Sequence, residues 1–162
     1  MIQACIGLGA NLGDAAQTLR DAFQALAALP DSALRARSQL YTTPAWGNLD
    51  QPAFVNAAAL LETALSGPAL LEALLAIERR FGRVRDPGVH WGPRTLDLDL
   101  LLYGEQVIDL PQLQVPHPYL HERAFALLPL AEIAPDAMIP GQGRVRDAVV
   151  RVEACGIASI GG

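Results

Sequence analysis

Thr95-Leu96-Asp97-Leu98-Asp99-Leu100-Leu101-Leu102-Tyr103 is the stretch from which the fold is read. Successive strand side chains point to opposite faces, so Leu96, Leu98, Leu100 and Leu102 are expected on one face and Asp97, Asp99 and Leu101 on the other. Going back along the chain, Ser66-Gly67-Pro68 opens a helix that runs to about Phe81 and is closed by Gly82. Residues 53–62 read as a strand preceded by a loop at 44–52. Residues 33–41 alternate, with Leu34, Ala36, Ser38 and Leu40 against Arg35, Arg37, Gln39 and Tyr41, and read as another strand. Asp14 is a candidate N-cap for a helix whose Leu19, Phe23, Leu26 and Leu29 recur at helical spacing until Pro30 stops it. Residues 2–8 form the first strand and run into a glycine-rich turn, Gly7-Leu8-Gly9-Ala10-Asn11-Leu12-Gly13. Beyond Tyr103, Gly104-Glu105 is a turn, a short strand reaches 109, and helices are expected at about 121–132 and 145–151. The order strand, helix, strand, strand, helix, strand predicts an α+β, ferredoxin-like βαββαβ core. Its mainly antiparallel sheet carries helices on one face, with a C-terminal helical extension wrapped around it. No repeat or linker breaks the pattern, so residues 1–162 read as one domain.

Composition narrows the chemistry. Apolar residues make up 51% of the 162 and charged residues 18%, enough for a packed core. All twelve basic residues are Arg; there is no Lys. That excludes a P-loop, a kinase-type strand lysine, Schiff-base chemistry and a Ser-Lys dyad. Phosphate, if handled, must be held by Arg, His, backbone amides or metal. A net charge of −5 argues against duplex DNA or an anionic membrane as partner. Cys5 and Cys155 form no CxxC and have no His at metal spacing, so two simple thiols are expected. Met1-Ile2-Gln3-Ala4 has no basic leader and no apolar run approaches ~18 residues, so a cytoplasmic protein is expected; nothing in the sequence demands a dimer, so a monomer is expected.

Carboxylates at i and i+2 on a strand lie about 6.6 Å apart. Their repulsion is roughly 2.5 kcal/mol at an effective dielectric of ~20 and about 0.6 in open water, so a pair lining a cleft calls for a cation. Hard oxygen donors suit Mg²⁺. The preceding run from Arg79 to Arg94 holds five of the twelve arginines in sixteen residues, broken by Gly and Pro. It reads as a surface loop whose guanidinium forks close on phosphate oxygens. A metal-binding pair beside such a loop is suited to transferring charged phosphoryl groups.

Gly92-Pro93-Arg94-Thr95-Leu96-Asp97-Leu98-Asp99, with Arg83-Val84-Arg85 and Trp91 before it, closely resembles the 6-hydroxymethyl-7,8-dihydropterin pyrophosphokinases of folate biosynthesis. Further blocks occur in the family's order: Ile6 to Gly13, Tyr41-Thr42-Thr43-Pro44, Asp50-Gln51-Pro52 with Phe54 and Asn56-Ala57, Val115-Pro116-His117-Pro118, and Arg123 with Phe125. The resemblance spans roughly residues 5 to 135. It implies pyrophosphoryl transfer from ATP, the co-substrate, to the pterin hydroxymethyl oxygen, releasing AMP. It further implies that Asp97 and Asp99 hold two Mg²⁺ ions, with Arg83 and Arg94 also catalytic. Arg85, Arg94, His117 and Arg123 would contact ATP, Glu78 would be a ribose or loop-anchoring contact, and Arg83 and Trp91 would sit on a closing loop. For the pterin, Phe54 and Phe125 resemble two stacking rings and Asn56 the amide that reads the pyrimidine edge. Thr43, Pro44, Ala45 and Trp46 resemble the pocket wall, and Asp97 borders the pterin.

Three positions depart from the family's pattern: His90 stands where many relatives carry Arg, Pro118 where a Tyr occurs, and Trp46 where an aliphatic is usual. Two rival readings are a non-catalytic ligand-binding module and another Mg²⁺-dependent nucleotidyl or phosphoryl transferase. An RNA-binding sheet is disfavoured, since Leu100-Leu101-Leu102 stands where stacking aromatics would be needed.

Overall fold

The computed structural model describes residues 1–11, 13–43, 54–82, 96–152 and 157–161. In chain order the elements are β1 (Ile2–Ala10), α1 (Ala15–Ala27), β2 (Ser32–Arg37), β3 (Leu40–Thr43), β4 (Phe54–Thr63), α2 (Gly67–Arg80) and β5 (Asp97–Tyr103). There follow β6 (Ile108–Leu110), β7 (Leu113–Val115), a single 3-10 turn (Leu120–Glu122), α3 (Ala124–Ile133), β8 (Met138–Ile139), β9 (Gly143–Arg144), α4 (Val145–Val150) and β10 (Ala158–Gly161). β1 to β5 and β10 make one mixed α/β layer, an antiparallel sheet in the order β10-β3-β4-β1-β5, with β2 also on β4.

The caps anticipated from sequence are in place. Asp14 accepts from the Gln17 amide at 3.2 Å, and Ser66 accepts from the Ala69 amide at 3.2 Å. Each satisfies an amide that has no partner within the helix. Gly82 closes α2 at φ 83°, a conformation only glycine adopts without strain. Leu19, Phe23 and Leu26 of α1 and Leu70, Leu74 and Ile77 of α2 are buried with Ile6, Leu8, Leu61, Leu98 and Leu100, forming the main core on one face of the sheet.

Several expectations are corrected. The single strand expected over 33–41 is broken at Ser38 and Gln39: the Ala58 amide donates to the Ser38 hydroxyl at 2.8 Å, while the Ser38 amide donates to the Ala58 carbonyl at 2.9 Å. A side-chain oxygen thus takes a backbone acceptor's place. The first strand continues to Ala10, so Gly7 and Gly9 lie in it rather than in a turn. The strict alternation of β5 fails after Leu100, because the register with β1 shifts between Cys5 and Ile6. One extra residue in the ladder turns Leu102 away from Leu96, Leu98 and Leu100. Leu101 and Leu102 both enter a second cluster, with Leu120, Leu127, Leu130, Val145 and Ala148. The core helices α1 and α2 cover one face, as expected, while α3 and α4 cover part of the other. The helix expected at 121–132 is a 3-10 turn followed by α3. The short strand expected to reach 109 is β6, which pairs only with β7, apart from the main sheet. β7 to β10 were not anticipated; β8, β9 and β10 are only two to four residues long, too short for periodicity to register. Among the described residues no helix is long and apolar enough to cross a membrane.

Candidate active site

Among the described residues α3 and α4 cover only part of the second sheet face. The register defines what lies there. Tyr41 of β3 faces Asn56 of β4, Asn56 faces Gly9 of β1, and Gly9 faces Asp97 of β5. One row across four strands thus reads Tyr41, Asn56, Gly9, Asp97. The next row brings Ala58, Gly7 and Asp99 together. Asn56 and Asp97 are two strand spacings apart, about 10 Å between backbones, with no side chain between them. A Cβ on Gly9 would sit 3.1 Å from Asn56 Oδ1, so the Asn56 amide lies down over this glycine. Sequence reading missed Gly9 as a site residue; glycine at i and i+2 inside a strand was the available signal.

Asp97 and Asp99 are half-exposed, and Asp99 keeps 40% of its side chain open. Leu98 between them is tied from behind: its amide donates to Glu78 Oε2 at 2.8 Å. Glu78 is 3% exposed on α2. Glu78, expected as a ribose or loop-anchoring contact, here accepts from a strand amide between the two carboxylates. His117 is held by its amide on the Leu101 carbonyl at 3.0 Å. Its Nδ1 lies 3.1 Å from the Pro118 carbonyl, an acceptor only, so Nδ1 carries a proton. Nε2 is left facing Asp99 Oδ1 at 3.8 Å.

Phe54 is half-buried at the start of β4, and Asn56 is 8% exposed. Phe125, in the first turn of α3, is 38% exposed, and the Arg123 guanidinium lies 5.4 Å over its ring. Arg123 precedes the first helical residue, so cation and ring occupy one corner. Among the described residues no group of three or more His, Cys, Asp or Glu side chains could hold a metal. Two half-open carboxylates nevertheless fit Mg²⁺, which keeps waters and takes its remaining ligands from substrate phosphates. Pro44, Ala45, Trp46, Arg83, Arg85, His90, Trp91 and Arg94 lie outside the described residues; Thr43 ends β3.

Such a sheet, with a packed core behind it and carboxylates, a histidine and an amide along one face, carries the groups of a small α/β transferase. The profile of the 7,8-dihydro-6-hydroxymethylpterin-pyrophosphokinase family matches residues 5–135. The chain is 47% identical over 161 residues to the 2-amino-4-hydroxy-6-hydroxymethyldihydropteridine pyrophosphokinase of Methylorubrum extorquens, covering 99% of each chain. To that of Pseudomonas aeruginosa it is 50% identical over 135 residues, covering 83% of this chain and 82% of the other. Its fold is that of the crystal structure of Plasmodium falciparum HPPK-DHPS with pteroate, with a TM-score of 0.72, 14% identity and 93% of this chain covered; this chain spans 42% of that one. The chain belongs to the 7,8-dihydro-6-hydroxymethylpterin-pyrophosphokinase family.

Proposed function

We propose that the open sheet face holds the pterin between Phe54 and Phe125, over Gly9, with Asn56 reading its edge and its hydroxymethyl group directed towards Asp97. The chain is an ATP-dependent pyrophosphokinase of folate biosynthesis. The hydroxymethyl oxygen attacks the β-phosphorus of ATP, the bond from that phosphorus to the oxygen bridging it to the α-phosphorus breaks, and AMP leaves with that oxygen. The hydroxyl proton is released as the pterin diphosphate forms. The observation that carries this placement is the row Asn56, Gly9, Asp97, which sets a donor-acceptor amide and a carboxylate on one face, either side of a strand position that has no side chain of its own. Asp97 and Asp99 would hold two Mg²⁺ ions. Bound with ATP, magnesium supplies charge neutralisation on the phosphates and acidifies the hydroxyl.

Around that pair the chain's own groups divide the remaining work. His117 and the Arg123 guanidinium flank the phosphate side, Arg123 as a donor to its oxygens. Arg83, Arg85, Arg94 and Trp91 are assigned to the ATP side by their match to the family's motif, and Thr43, Pro44, Ala45 and Trp46 to the pterin wall on the same ground. We read the strand order β3-β4-β1-β5 with crossing helices α1 and α2 as the ferredoxin-like plan, residues 1–162 as one domain, and the protein as a cytoplasmic monomer.

Incubation with ATP, Mg²⁺ and hydroxymethyldihydropterin should yield AMP and the pterin diphosphate. ADP instead would favour a simple phosphoryl transfer and overturn the reading. Asn56→Ala should raise the KM for the pterin and leave that for ATP unchanged.

A further inference from the structure

At the far end of α3 from Phe125, one carboxylate gathers three hydrogen bonds from the start of β3 and the residue before it. Glu132 accepts from the Gln39 amide with both oxygens, at 3.1 and 3.0 Å, and from the Tyr41 hydroxyl at 2.6 Å. The Gln39 amide comes free because of the break in the strand: Ser38 bonds β4 through its hydroxyl, and the chain turns outward for one residue. Tyr41, immediately beyond, returns to the ladder opposite Asn56. From the other side β10 closes on the same segment, with Ser159 opposite Tyr41 and its hydroxyl donating to Gln39 Oε1.

An exposed carboxylate contributes little to stability in general. This one sits where geometry matters. Glu132 is seven residues after Phe125, so the two share one stripe of α3, two turns and about 10.5 Å apart. Fixing Glu132 against β3 fixes the rotation of that stripe and hence where Phe125 stands. The same bonds hold Tyr41 beside Asn56 and set the direction in which β3 delivers Thr43.

We propose that Glu132 is a positioning residue for the pterin: by binding Gln39 and Tyr41 it sets Phe125 on α3 and Asn56 on β4 at their working separation. The inference rests on the pterin placement given above. Burial, the hydrogen bond to Glu132 and its negative charge together push the Tyr41 phenol up to about 12 from 10.0, consistent with a persistent contact.

The test compares Glu132→Gln, Tyr41→Phe, their combination and Asn56→Ala in the full chain. Glu132→Gln should raise the KM for the pterin about three- to tenfold and leave kcat and the KM for ATP within about twofold, the mark of lost substrate positioning rather than lost chemistry. Its phenol absorbance should show one tyrosine titrating back towards the ordinary range, a change absent in the combined variant. The combined variant should lose little more than Glu132→Gln alone. Equal changes in both KM values, or none in that for the pterin while Asn56→Ala still raises it, would overturn the role of Glu132. No effect of Asn56→Ala would remove the pterin placement and this proposal with it.

Discussion

Asp97 and Asp99 are two residues apart on one strand, and what separates them from any other acidic pair is what stands opposite. Each faces a glycine on β1, which brings no side chain of its own opposite the carboxylate. Their spacing comes directly from the strand repeat and was legible in the sequence; that Glu78 pins the intervening Leu98 amide was not, because α2 reaches β5 only in the folded chain. On the proposed placement, the chemistry at this end of β5 is separable from ring recognition at Asn56. Asp99→Asn should therefore lower kcat by about 10²–10³-fold, as loss of a charge-stabilising group does, while pterin affinity measured by titration stays within about threefold. Loss of both together would mean that Asp99 supports the strand rather than the reaction.

Within single elements, the departures from sequence expectation have local causes. β1 contains two glycines in a run that reads as a turn; cross-strand pairing with β4 and β5 over its whole length overrides that preference. β5 alternates as its leucines demand until one extra residue in the ladder reverses the face. β3 is separated from β2 because a serine hydroxyl can substitute for a carbonyl, something period-two counting cannot detect. The glycine at position 9 gives an element-level prediction. Gly9→Ala brings a methyl to 3.1 Å from Asn56 Oδ1 and should tilt that amide. The KM for the pterin should rise about threefold, with thermal unfolding showing a stability change within ~0.5 kcal/mol, because the backbone there is ordinary strand.

Across the whole molecule, the sheet separates two tasks. Its first face is covered by α1 and α2; among the described residues its second is covered at one end by the cluster around Leu127 and Leu130, and the other end is the one proposed to take the ligands. Cys5 lies in that second cluster, and burial pushes its thiol up to about 12 from 9.0. Since Cys5 and Tyr41 both hold their protons more tightly when folded, the unfolded chain releases them first as pH rises. Stability from these groups should be fully present below about pH 9 and decline through about pH 12; denaturant midpoints across this range should fall, and Cys5→Ala should flatten most of the slope. A slope unchanged in Cys5→Ala would place the titration elsewhere. The sequence alone determined the helices with their caps, the core strands, the carboxylate pair and the family, because these rest on neighbours within a few residues or on a long motif. Tertiary structure decided that α3 and α4 lie on the opposite face from α1 and α2, that the Asn56 amide lies over Gly9, that Glu78 meets the Leu98 amide and that Glu132 meets Tyr41. Each of these depends on pairing or packing between residues distant in the chain, which no local periodicity encodes.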